Sequence, residues 1–141
     1  MPEKIKPQDN QAYRYPVSVK GVIQSHGRFV LLKNERDEWE LPGGKLQLCE
    51  TPEDCVAREI TEEVGLAVKV GAILDTWVYH ISEGVYVLIV TYGCSSESFS
   101  EVTHGPEHQE VGLFRLEDVE TLNMPDGYKK SIHAWSKKLL S

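Results

Sequence analysis

The sequence predicts an α/β fold in which a β-sheet is covered by helices on both faces. Three observations carry this expectation. Residues 52–64 read as a capped amphipathic helix, Val85 to Gly93 is the most β-prone run of the chain, and Tyr128, Ile132, Trp135 and Leu139 fall at the four-three-four spacing of a buried helix stripe. In the β-prone run Val87, Ile89 and Thr91 alternate with Tyr86, Leu88, Val90 and Tyr92, so both faces are largely apolar. A strand apolar on both faces is one covered on both sides, which places it inside a sheet sandwiched between helices. At 141 residues, one domain spanning 1–141 is the natural reading, with residues 1–12 a loose polar leader carrying two prolines.

The elements follow in order. Tyr15 to Ile23 alternates well enough for a first strand, and Ser25-His26-Gly27-Arg28 reads as a tight turn into a second, Phe29 to Lys33. His26 is a turn residue rather than a ligand, because no partner ligand stands at usable spacing. Asn34 to Glu38 is a charged loop. In Trp39-Glu40-Leu41-Pro42-Gly43-Gly44, the two glycines after proline let backbone approach a ligand closely, and Trp39 is expected to pack under the turn. Thr51 then supplies a helix N-cap, Pro52 suits the first helical position, and Glu53 and Asp54 put negative charge in the first turn. Val56, Ile60 and Val64 recur every four residues as the core-facing stripe, and Gly65 ends the helix.

A meander follows. Ala67 to Val70 and Ile73 to His80 read as strand broken by Gly71, Ile81 to Gly84 as a hairpin, and Val85 to Gly93 as the return strand. Ser95 to Ser100 reads as a flexible surface lip. Val111 to Phe114 is a short strand, Leu116 opens a short helix, and Asp126-Gly127 is expected to break the chain before a last helix from about Tyr128.

Charge and composition narrow the function. The net charge is −7 and no basic stripe is visible, which argues against nucleic acid as the partner. Cys49, Cys55 and Cys94 lack C-x-x-C spacing, so they suggest neither a disulfide framework nor a zinc site. They are expected to be reduced, partly buried thiols of a cytoplasmic protein. The first residues lack an apolar signal core, and the longest apolar run, Val85 to Val90, is too short to span a bilayer. No membrane partner is expected.

The chemistry lies on the helix. Glu59, Glu62 and Glu63 are neighbours on one face, an unfavourable set unless compensated. Arg58 offsets part of this by pairing with Glu62, four residues on, and a hard divalent cation such as Mg²⁺ would offset more. Taken alone, the three glutamates would be an ordinary solvated acidic face. The whole stretch Gly44 to Leu66, however, fits G-x5-E-x7-R-E-U-x-E-E-x-G-U at every position, with U aliphatic. At roughly 5–8% usage per fixed residue, a chance match is on the order of one in 10⁸ per start position.

This stretch resembles the Nudix box, the signature of the Nudix hydrolases, and the resemblance extends from about residue 16 to 139. It implies the Nudix α/β/α sandwich, a curved mixed sheet between helices. It also implies Mg²⁺-dependent hydrolysis of a phosphoanhydride bond in a nucleoside diphosphate linked to another group, with Mn²⁺ as the substitute cation. Carried over by position, the metal site is Glu59, Glu62, Glu63 and a carbonyl of Gly43. Glu50 and Arg58 would orient the ligating carboxylates from behind. The general base is Glu59 or a carboxylate of the loop before the Val111 strand, Glu107 or Glu110, and the sequence does not choose among them. His108 is expected to be a loop residue.

For the substrate, the proline that marks many ADP-ribose enzymes of the family is absent around Ser82. The tyrosine of the dinucleoside-polyphosphate type is replaced by Glu83 and Gly84, and neither Tyr79 nor Tyr86 lies at its offset. Motifs of the coenzyme A and NADH types are absent. Nucleoside triphosphates, oxidised ones included, and nucleotide sugars remain, with ADP-ribose or dinucleoside polyphosphates as the alternative. A non-catalytic nucleotide-sensing module is the reading of another class. A homodimer is expected from the family only.

Overall fold

The structure is a computed structural model that describes residues 11–97 and 110–140. Its described strands are β1 (Val17–Ser25), β2 (Arg28–Lys33), β3 (Trp39–Glu40), β4 (Gly43–Lys45), β5 (Lys69–Ser82), β6 (Val85–Ser95) and β7 (Glu110–Arg115). The helices are α1 (Pro52–Val64), α2 (Leu116–Val119) and α3 (Asp126–Leu139). All seven strands join one mixed sheet with the path β3-β2-β1-β6-β5, to which β4 adds on β1 and β7 on β2. β1 and β6 run parallel, Val17 opposite Leu88 through Gln24 opposite Ser95, and the other pairs are antiparallel.

The expected double covering is present. On one face Val19, Ile23, Tyr92 and Cys94 meet Val56, Ile60 and Val64 of α1. On the other, Val22, Val87 and Ile89 meet Tyr128 and Ile132 of α3. Adjacent strand residues point to opposite faces, so β6 supplies both clusters at once. Thr91, on the α3 side, meets the buried Ser131 hydroxyl at 2.8 Å.

The pairing of β1 positions the site. One edge of β1 is occupied by β6, and the other is divided: Ser18 to Lys20 pair with β4, whereas only Gln24 and Ser25 pair with β2. The short glycine strand therefore takes the place that β2 vacates, and lies against α1.

Several expectations are corrected. The Gly43-Gly44 stretch is a strand rather than a turn, because its backbone completes the β1 edge. Gly71 does not break the strand: β5 runs through it with irregular register between Val70 and Ile73. A Cβ there would meet Trp135 at 3.1 Å, so glycine makes room for that ring. Asp126 and Gly127 form the first turn of α3 instead of interrupting the chain. Gly127 lies against the Trp77 ring, where a Cβ would approach within 2.2 Å, so its reason is packing, not conformational freedom. Leu139, expected in the core stripe, is 42% exposed, while Tyr128 and Ile132 are fully inside. Cys49 is exposed, against the expectation of partial burial; Cys55 and Cys94 are buried, and all three are free thiols. Of the lip expected at Ser95 to Ser100, Ser95 is instead the exposed last residue of β6; residues 98–100, Glu107, His108 and residues 1–10 of the leader lie outside the described residues. Among the described residues, no helix is long and apolar enough to cross a membrane.

Candidate active site

Helix α1 forms as its sequence dictates. Thr51 Oγ1 accepts from the Asp54 amide at 3.1 Å, and Gly65 takes the left-handed conformation at φ 72°, its N–H donating to the Thr61 carbonyl. Burying Val56, Ile60 and Val64 turns the acidic side of the helix toward β4.

Two glutamates then meet the glycines. The Gly43 amide donates to Glu63 Oε1 at 2.6 Å, a short charge-assisted bond. Gly43 has φ 146°, and a Cβ there would lie 2.1 Å from the Val19 carbonyl oxygen, so only glycine fits. At Gly44 a Cβ would lie 2.4–2.7 Å from the carboxylate atoms of Glu59. The missing side chain is thus the space in which the Glu59 carboxylate sits.

Arg58 gathers the remaining charge. Its Nε and Nη2 donate to the two oxygens of Glu50 at 3.1 and 2.9 Å, and its Nη1 donates to Glu59 at 3.0 Å and to Glu62 at 3.2 Å. Glu50 also accepts the Gln47 amide at 2.8 Å. These bonds, the guanidinium first, hold the Glu50 carboxyl down at about 2, and they raise Arg58 further above its already high range. Burial of Cys55 and a bond to Glu50 push its thiol up to about 12, and its sulfur lies 3.5 Å from the Lys45 carbonyl.

Lys20 is the site residue that sequence reasoning missed. It stands opposite Gly43 in the β1–β4 register and is only 8% exposed. Burial alone would lower its pKa, yet the charges of Tyr128, Glu40, Glu63 and Glu59 outweigh it and push the ammonium up to about 12. The available signal was a lysine inside the apolar alternation Val17-Ser18-Val19-Lys20-Gly21-Val22-Ile23. Tyr79, on the α3 side, donates to Glu38 at 3.0 Å and is pushed up to about 12 by burial and that bond.

The structure brings together Gly43, Glu50, Arg58, Glu59 and Glu63, and joins Glu62 to them through Arg58. Glu62 is the outlying member, its side chain 58% exposed against 18% for Glu59. Among the described residues no three acidic, His or Cys side chains are already closed into a metal cage. The donor set nonetheless suits a hard divalent cation, being carboxylate and carbonyl oxygens throughout. Glu110 opens β7, where it is exposed and pairs with Lys33 Nζ at 3.7 Å. Trp39 packs edge-on against Phe114 at 4.8 Å, as expected for a packing role. His26 occupies its turn with φ 52° and bonds Ser25.

A family model described as the NUDIX domain matches residues 12–135, nearly the whole chain. The chain belongs to the Nudix family. A MutT-like protein from Streptomyces ambofaciens is 42% identical over 78 residues, 53% of this chain but only 49% of that protein. The ADP-ribose pyrophosphatase of Methanocaldococcus jannaschii is 31% identical over 133 residues, covering 84% of this chain and 75% of its own. The nucleoside triphosphatase NudI of an Enterobacter species is 27% identical over 119 residues, covering 73% and 84%. Among solved structures, a MutT Nudix hydrolase from Burkholderia pseudomallei superposes with a TM-score of 0.73 at 27% identity, covering 86% of this chain and 98% of that one. This Nudix chain is accordingly a nucleotide pyrophosphohydrolase, of a family that generally uses divalent metal cations.

Proposed function

We propose that this Nudix hydrolase cleaves a phosphoanhydride bond of a nucleoside triphosphate, oxidised forms included, or of a nucleotide sugar, with Mg²⁺ as its cation and Mn²⁺ as substitute. The observation that carries this reading is the seating of Glu59 and Glu63 on the two glycines of β4, with Arg58 sorting the neighbouring carboxylates. Glu59, Glu62, Glu63 and the Gly43 carbonyl would hold the cation. When bound, it would neutralise substrate charge and lower the pKa of water. Glu50 and Arg58 orient the ligating groups, since a guanidinium bonded on one side to Glu50 has its direction set on the other. The proton of the attacking water goes to Glu59, Glu107 or Glu110. Placement in the cytoplasm agrees with three free thiols.

The archaeal relative's name favours ADP-ribose as the second reading. The lack of a proline around Ser82 favours the first. A hydrolysis panel with Mg²⁺ decides between them: nucleoside triphosphates, oxidised nucleotides, nucleotide sugars, ADP-ribose and dinucleoside polyphosphates, each with the Glu62→Gln variant alongside. Strong cleavage of one triphosphate or nucleotide sugar, lost in a folded Glu62→Gln protein, is the expected result. Wild-type turnover in Glu62→Gln removes the metal assignment. Silence across the panel with nucleotide binding intact would make the chain a sensing module.

A further inference from the structure

We infer that the uncovered face of the β5–β6 hairpin is where a second copy of this chain docks, the two sheets packing face to face about a two-fold axis. That face lies away from the candidate active site, so the inference stands apart from the proposed reaction.

The cover that α1 provides stops short of β5. In the β5–β6 register Ile73 stands opposite Tyr92, Val78 opposite Leu88 and His80 opposite Tyr86. Tyr92 belongs to the core beneath α1, and alternate residues of a strand share a face, so all three pairs lie on the α1 side. Yet Ile73, Val78, Tyr86 and Leu88 belong to neither core cluster, and Ile73 and Val78 are 55% and 48% exposed. On the α3 side of the same strands, Trp77 and Tyr79 pack into the core and Val87 and Ile89 are buried. The tyrosines before β1 extend the open patch. Tyr13 meets Tyr86 edge-on at 5.7 Å and Tyr15 at 4.6 Å, and the His80 ring stacks on Tyr86 at 4.5 Å. Tyr13 and Tyr15 remain 52% and 39% exposed.

Charge and area select the occupant. With 22 acidic residues against 15 basic, two copies of this chain repel over most of their surfaces. The patch carries no carboxylate, lysine or arginine, so a two-fold axis sets each of its side chains near its own copy without opposing like charges. Its open surface is on the order of 500 Å², the size at which the largest apolar patch of a monomer is functional. Burying it on both partners removes about 1,000 Å² in total, the lower bound of a specific interface. The irregularity of β5 selects the mode. β5 is an edge strand of 14 residues whose register shifts at three places. Such bulges turn an edge away from strand addition, which leaves the face as the docking surface. β4, which carries Gly43 and Gly44, pairs with the edge of β1 opposite β6, so this docking leaves the candidate active site open.

An interface of this size implies a dimer that dissociates at about 1–100 µM. The test is sedimentation velocity from about 1 µM to 1 mM on wild type, Val78→Glu and Ile73→Glu, with circular dichroism on each. Leu48→Glu is the control, since Leu48 is 95% exposed and outside the patch. We expect wild type to pass from monomer to dimer within that range. The two patch variants should need at least about 100-fold higher concentration, because each dimer would bury two unpaired carboxylates. Leu48→Glu should stay within about twofold of wild type. A wild type monomeric at every concentration overturns the inference and leaves the face to a different protein. A dimer that survives in folded Val78→Glu and Ile73→Glu also overturns it, as does equal weakening by Leu48→Glu. If neither strand variant folds, Tyr13→Asp, placed before β1, reads the same surface, and a dimer as tight as wild type there overturns it too.

Discussion

Gly44→Ala tests the site at its tightest point. The backbone of Gly44 is outside the positive-φ set, so alanine is conformationally acceptable there. Its Cβ, however, would lie 2.4 Å from the Glu59 carboxyl carbon and 2.5 and 2.7 Å from the two oxygens, where ordinary contact begins at 3.4 Å. The carboxylate must therefore withdraw by about 1 Å. It sits at the free end of a flexible side chain, so the withdrawal costs only an off-rotamer distortion of about 0.5–1.5 kcal/mol. The reduced freedom of the unfolded chain returns about 0.4–1 kcal/mol of this. The fold should thus survive almost unchanged, while a catalytic group displaced by about 1 Å loses about 10²-fold in rate. The assay is kcat/KM on whichever nucleotide the panel selects, beside a thermal melt. Wild-type kcat/KM in Gly44→Ala would refute the placement of Glu59 in the reaction. Gly43→Ala is the control of opposite kind. There the clash is with the Val19 carbonyl at 2.1 Å and the strained φ cannot be relieved, so the melt itself should collapse.

Other outcomes follow from the same geometry. Glu50 is held at about 2 by Arg58, below its ordinary 4.5, so its contribution to stability is present above about pH 4.5 and is lost as pH falls toward 2. In Arg58→Met the Glu50 carboxyl returns toward its ordinary value, and melts between pH 5 and 2 should lose this part of their acid sensitivity; an unchanged slope would contradict the pairing. Gly127→Ala gains helix propensity of up to about 1 kcal/mol but forces a Cβ to within 2.2–2.6 Å of the Trp77 ring, and overpacking of about 1–3 kcal/mol should prevail as a lower melting temperature. Burial pushes the thiols of Cys55 and Cys94 up to about 12, whereas Cys49 is exposed. A thiol reagent at neutral pH should modify Cys49 quickly and the other two only on unfolding, and rapid modification of all three would be the contrary result.

What the sequence alone determined about this chain is local. The cap at Thr51, the stop at Gly65, the stripe of Val56, Ile60 and Val64 and the Arg58–Glu62 pair depend on residues a few positions apart, where helix geometry leaves little choice. The two-sided apolar pattern of β6 also announced the layered fold, because burial on both faces is written into every residue of such a strand. Gly43 and Gly44 were marked as a close approach, but not as a strand, since the β1 edge that they complete lies more than twenty residues earlier. Three glutamates of one helix face looked equivalent in the sequence. Only the tertiary structure separated them, seating Glu63 on the Gly43 amide and Glu59 in the space above Gly44 while leaving Glu62 at the surface. Lys20 and Gly127 were illegible for the same reason. A buried charge and a missing side chain acquire their meaning from surroundings distant in the chain, Tyr128 for the one and Trp77 for the other, and those surroundings exist only once the sheet has paired and the helices have docked.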